Sequence, residues 1–90
     1  MKHEELIAEL ERLAAQLNVV VRYEKGDFEG GYCILKTDRI LLINKRLMSN
    51  KKASVFALAL REMGLDNVFI KPAVREFIED EVARTMGAAR

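Results

Sequence analysis

Apolar residues recur at helical spacing over residues 3–17, where Leu6, Ile7, Leu10, Leu13, Ala14 and Leu17 fall on one stripe and Glu9, Glu11, Arg12 and Gln16 on the other side. That spacing predicts a helix. Glu4 and Glu5 occupy its first turn, where the helix dipole favours negative charge. Asn18, a residue that tolerates left-handed backbone, ends it. The period then changes. Val19 to Lys25 alternates, with Val19, Val21 and Tyr23 on one face and Val20, Arg22 and Glu24 on the other, which predicts a strand with the first set inward. Gly26-Asp27-Phe28-Glu29-Gly30-Gly31 reads as a loop. Phe28 on it either folds back onto the core or marks a contact surface.

Residues 32–37 and 39–44 are expected to form two more strands joined by a short turn. Ile40-Leu41-Leu42-Ile43 is apolar at every position, the pattern of a central strand covered on both faces. A polar loop follows, and Ser49 or Asn50 is placed to cap a helix over 51–63. On a wheel of about 100° per residue its apolar positions span roughly 200°, with only Ala57 and Arg61 facing away, so this helix should be buried on more than one side. Gly64 stops it. Asp66-Asn67 is a turn, Val68-Phe69-Ile70 a short extended segment or single turn, and Pro72 the first residue of a last helix with Val74, Phe77, Ile78, Val82 and Met86 as its stripe. Arg75–Glu79 and Asp80–Arg84 are spaced as i,i+4 ion pairs, Gly87 is the expected stop, and Ala88 to Arg90 are expected to fray.

These elements define an α+β fold: a helix, a three-stranded antiparallel meander, and two further helices packed on the sheet, in one domain spanning 1–90. The expected core is Leu10, Leu13, Val21, Ile34, Leu42, Phe56, Leu60 and Phe77. Ninety residues bury only about 60–65% of the unfolded surface, while half are hydrophobic, at the top of the usual range. So much apolar residue in so small a domain favours sharing a face with a second copy, and a homodimer is the expected assembly.

Charge changes the picture only locally. Fifteen basic residues face fourteen acidic ones, but Lys36, Arg39, Lys45, Arg46, Lys51 and Lys52 meet Asp38 alone in residues 36–52. Arg39, Lys45, Arg46, Lys51 and Lys52 are therefore the candidate contacts for a nucleic acid or anion, with Tyr32 beside them able to stack a base. A net charge of +1 and the lack of a readout motif keep nucleic acid from being the favoured partner. Phe28 and Tyr32 are the candidate contacts for a protein partner.

Catalytic chemistry is poorly supplied. His3 and Cys33 are single and far apart, so zinc has no ligand set. Asp27 and Glu29 lack the other ligands of a calcium loop. A Cys33–His3 or Ser54–His3 dyad would need the N-terminus to fold in. Cys33 itself is expected to pack as a small buried hydrophobe. No enzymatic activity, metal or cofactor is expected. No apolar run approaches a membrane span and the N-terminus lacks the apolar region of a signal peptide, so no membrane contact is expected and the chain reads as cytoplasmic.

The stretch Gly31-Tyr32-Cys33, a turn, Ile40-Leu41-Leu42-Ile43-Asn44, a basic loop and Phe56 to Leu65 resembles the core of small zinc peptidases of the phage-immunity-repressor type, over residues 28–65. That family carries His-Glu-Leu-Gly-His on its active-site helix. The matching window here is Arg61-Glu62-Met63-Gly64-Leu65. The resemblance places Glu62 where the family has its general base, but puts Arg61 and Leu65 at both zinc positions, and neither can ligate a cation. It implies a metal-free relative. The chain as a whole looks like a small bacterial domain with no activity to carry over. The leading expectation is a non-catalytic protein-interaction module, with a nucleic-acid-binding module and a metal-free peptidase relative as alternatives.

Overall fold

A computed structural model describes the backbone of residues 1–88 and the side chains of residues 1–85. Its elements are α1 (His3–Gln16), β1 (Val19–Glu24), β2 (Gly30–Leu35), β3 (Asp38–Asn44), α2 (Ser49–Met63) and α3 (Pro72–Ala88).

The α1 stripe behaves as its spacing dictates. Leu6, Leu10, Leu13 and Ala14 are buried, and Asn18 leaves the helix at φ 59°. In β1, Val19 is buried and Tyr23 sets its ring 6.3 Å from that of Phe56, so the inward face is Val19, Val21 and Tyr23. The fold is α+β, but the sheet is mixed rather than an antiparallel meander. Strand order is β1-β3-β2, with β1 parallel to β3 and β2 antiparallel to it. The five residues 25–29 carry the chain from the end of β1 across the end of β3. They must cross two strand spacings, about 10 Å, well within their reach. The hairpin then returns β3 into the gap, and the continuous apolar run of Ile40–Ile43 occupies the centre.

Both hairpin strands begin earlier than the sequence pattern suggests. Gly30 and Gly31 belong to β2, and the turn is the pair Lys36-Thr37. Lys36 has φ 59°, the positive value that tight hairpins require at a central turn position. Gly30 has φ 139°, and a Cβ there would lie 2.2 Å from the Leu42 carbonyl oxygen and 3.0 Å from Val55 Cγ1. A side chain is therefore excluded where β2 passes under α2.

Helix α2 is the centre of the core, in contact with α1, α3, β2 and β3. Phe56, Ala57 and Leu60 are fully buried. Ala57, expected to face away, is covered because helices and sheet enclose α2 on every side but that of Arg61. Its N-cap is Met48, which has no side-chain oxygen to accept from the first-turn N–H groups; Ser49, an expected cap, is instead the first helical residue, and its hydroxyl donates to Glu4 of α1. Residues 68–70 form no strand; Ile70 is buried and Phe69 exposed. Val74 and Ile78 of α3 are buried, with Phe77 and Val82 half-buried. Arg84 pairs with Glu81 one turn away rather than with Asp80, and neither i,i+4 pair forms. The helix continues through Gly87 to Ala88, so Gly87 does not stop it. The Met86 side chain and residues 89–90 lie outside the described residues.

Candidate interaction surface

All three helices lie on one side of the sheet. α1 packs on β1, α2 on β2 and β3, and α3 on the other two helices without touching a strand. Strand alternation sends Val19, Val21, Tyr23, Leu41, Ile43 and Tyr32 toward the helices. It sends Val20, Arg22, Ile40, Leu42, Gly31, Cys33 and Leu35 the other way, where no element covers them. Ile40 is nevertheless only 8% exposed, shielded by Val20 and Cys33, which oppose it on the flanking strands. Val20 and Leu35 are 52% and 58% exposed. Three expectations fail together here: Leu42, expected in the core of a strand covered on both faces, is only half-buried on the open face. Cys33 is exposed rather than packed, because it lies on the open face. Ile34, expected in the core, is 62% exposed, because it lies at the outer edge of β2 beyond the reach of α2.

The hydrogen-bond ladder fixes what that edge presents. The Asn44 N–H donates to the Glu29 carbonyl at 3.0 Å, and these residues oppose each other in the β2–β3 register. Antiparallel pairs alternate between bonded and non-bonded. Gly31, Cys33 and Leu35 thus spend their backbone groups on β3, and Gly30, Tyr32 and Ile34 turn theirs to the free edge. Residues 30–35 contain no charge and no proline, the usual guards of an exposed edge. The free edge of β1 is guarded: Arg22 pairs with Glu24 and Lys25 follows.

Phe28 and Tyr32 are both half-buried in the fold. The Phe28 ring lies over Gly26, where a Cβ would be 2.3 Å from it, so the residue folds back on its own loop. The Asn44 side chain, buried, holds that loop by donating to the carbonyls of Gly26 at 2.9 Å and Phe28 at 2.6 Å. Tyr32 is half-buried against the helix-side core.

The basic residues do not form one patch. Arg39, the second residue of β3, donates to the carbonyl of Leu17 just past α1, a full strand length from the rest. Lys51 reaches Glu29 at 3.5 Å, and the Lys52 ammonium sits 5.9 Å from the Tyr23 ring centroid. Lys45 and Arg46 are exposed, with no ion pair among the described residues.

Other surfaces offer little chemistry. A cleft of about 310 Å³ between α1 and residues 69–74 is lined by Glu9, Arg12, Gln16, Phe69 and Lys71. Its carboxylate is already held by Arg12 at 2.7 Å and Lys71 at 2.8 Å, and these two cations keep the Glu9 carboxyl below the ordinary carboxylate range, the Lys71 bond contributing most. His3 and Ser54 line a second cleft with Glu81, but no hydrogen bond joins them and Glu81 is engaged by Arg84. Cys33 lies on the opposite side of the sheet. Among the described residues no three His, Cys, Asp or Glu side chains gather as a metal would require. The window Arg61 to Leu65 spans the end of α2. Arg61 and Glu62 are exposed in its last turn, and Leu65 is buried beyond Gly64, whose φ is 95°. No helix among the described residues is long and apolar enough to cross a membrane. Comparison with known proteins finds no matching family model, curated protein or solved structure.

Proposed function

We propose that this chain is a non-catalytic protein-interaction module that self-associates as a homodimer, with its sheet as the working surface. One observation supports this reading above the rest: three helices crowd one side of the sheet and leave Val20, Cys33, Leu35 and Leu42 open around Ile40 on the other. Small soluble domains rarely leave a contiguous apolar face in water unless something binds it. Sedimentation equilibrium over a wide concentration range tests the reading. Reversible dimer formation is expected, and a strict monomer at the highest concentration rejects it.

A second reading, a nucleic-acid-binding module, draws on the adjacent exposed cations Lys45 and Arg46. Salt-dependent binding to DNA or RNA that weakens in the Lys45→Glu, Arg46→Glu double variant supports it; absent or salt-independent binding rejects it.

A further inference from the structure

We propose that two copies of this chain join through strand β2, antiparallel across a two-fold axis at Cys33, making one continuous six-stranded sheet. The inference rests on the self-association reading and names a contact at the sheet edge rather than on the open face, which runs on across both copies with Val20 and Leu42 still uncovered. A two-fold axis perpendicular to an antiparallel pair sets each residue on the axis opposite itself, so both copies keep their helices on the same side.

Four features select β2 and this register. First, β2 is the unguarded edge, with the N–H and C=O groups of Tyr32 and Ile34 directed outward, whereas β1 carries Arg22 and Glu24 and is followed by Lys25. Second, with Cys33 on the axis, Tyr32 and Ile34 of one copy exchange backbone bonds with Ile34 and Tyr32 of the other, so each exposed Ile34 side chain lies against a tyrosine on the helix side. Third, on the open face Leu35 of one copy lies over Gly31 of the other, where no atom stands within 4 Å of the absent Cβ. Shifting the axis to Tyr32 would instead set Ile34 over Gly30 and forfeit apolar contact. Fourth, residues 30–35 carry no charge, so the segment meets itself without like-charge repulsion, and Glu29, already 3.5 Å from Lys51 of its own copy, falls opposite the uncharged Thr37 of the second copy. One strand pair is a small contact, in the range of weak, reversible association.

Cys33 is the chain's single thiol and serves as the reporter, since directly opposed non-hydrogen-bonded residues approach to about 4.5 Å between Cα atoms, within disulfide reach. Mild oxidation of the native protein, at concentrations where sedimentation finds dimer, is expected to give a covalent dimer in good yield. The reference is a Cys33→Ser, Val20→Cys variant, whose thiol lies by the guarded edge and should cross-link poorly. Ile34→Pro removes an outward N–H that β3 does not use, a substitution an edge strand tolerates, and should give a folded monomer. Ile34→Lys, at an exposed position, serves the same purpose if the proline variant does not fold. Dimer by sedimentation, efficient Cys33 cross-linking and a monomeric position-34 variant support the proposal. A dimer that cross-links no better through Cys33 than through position 20, and persists in a folded position-34 variant, overturns the β2 contact while leaving self-association standing. A strict monomer at all concentrations overturns both.

Discussion

Gly30 and Leu42 meet so closely that a side chain at position 30 has nowhere to go: its Cβ would lie 2.2 Å from the Leu42 carbonyl oxygen. The same glycine holds φ at 139°, which L-residues rarely adopt. Gly30→Ala is therefore expected to destabilise the fold by about 2–4 kcal/mol, read as a lower urea midpoint with an unchanged slope. Gly31→Ala meets nothing within 4 Å and should cost far less.

Asn44 is the residue that makes the crossing loop possible. Its amide donates to the Gly26 and Phe28 carbonyls, and its Oδ1 accepts from the Arg46 N–H at 3.0 Å. Asn44→Ala should cost about 1–3 kcal/mol, since three part-buried hydrogen bonds of a buried amide are lost at once. Asn44→Asp should be worse at neutral pH, because a carboxylate faces two carbonyl oxygens. Its stability should improve on acidification, as the protonated acid regains a donor. Thermal melts of both variants across the acid range check this.

Tyr23 couples β1 to α1. Its hydroxyl donates to Glu11, and partial burial first, then that bond, raises its pKa above the ordinary 10.0. A raised folded-state pKa means that the contribution is complete below pH 10 and is lost as the pH climbs toward the folded value. Stability should fall in alkali from about pH 10. Tyr23→Phe should keep the packing on Phe56, cost about 0.5–1.5 kcal/mol at neutral pH, and remove that part of the alkaline decline.

The opposite limb belongs to Glu4 and Glu9. The Glu4 carboxyl is lowered chiefly by its own backbone N–H and then by Ser49, and Glu9 by Lys71 and Arg12. Lowered folded-state values give stability that is present above the ordinary carboxyl pKa of 4.5 and lost as pH falls through the folded value. A Glu4→Gln, Glu9→Gln variant should show a flatter decline below that pH in chemical denaturation.

Lys36 carries positive φ at the hairpin turn, a conformation that costs an L-residue about 1–2 kcal/mol. Lys36→Gly relieves it at a small entropic loss. A gain of up to about 1 kcal/mol is expected in the denaturation midpoint.

Periodicity made the helices and β1 legible, because α1, α3 and β1 each bury one face of a regular repeat and α2 a wide arc of it. It also marked Ile40–Ile43 as central. Sheet order was not legible. Strands adjacent in sequence usually pair, and nothing in residues 25–29 announces that the loop steps over β3. The start of β2 was hidden because Gly30 and Gly31 carry loop chemistry, yet Gly30 sits in the strand where α2 leaves no room. The surface was misread for a more instructive reason. Tyr32-Cys33-Ile34-Leu35 has the composition of a buried strand, and the sequence cannot distinguish a strand covered by its own helices from one left open. Position beyond the reach of α2 exposes Ile34, and position on the uncovered face exposes Cys33. Of the five basic residues grouped by sequence, the fold separates Arg39 from the other four by the length of β3.

Backbone amide exchange reads the β2 contact residue by residue. The N–H groups of Gly30, Tyr32 and Ile34 face the free edge, while those of Gly31, Cys33 and Leu35 are bonded to β3. In dilute protein the first set should exchange quickly. At concentrations that populate the dimer, Tyr32 and Ile34 should become protected while the amides along the β1 edge do not change. Exchange at Tyr32 and Ile34 that stays fast and independent of concentration, in protein that sedimentation shows to be dimeric, would rule out pairing through β2.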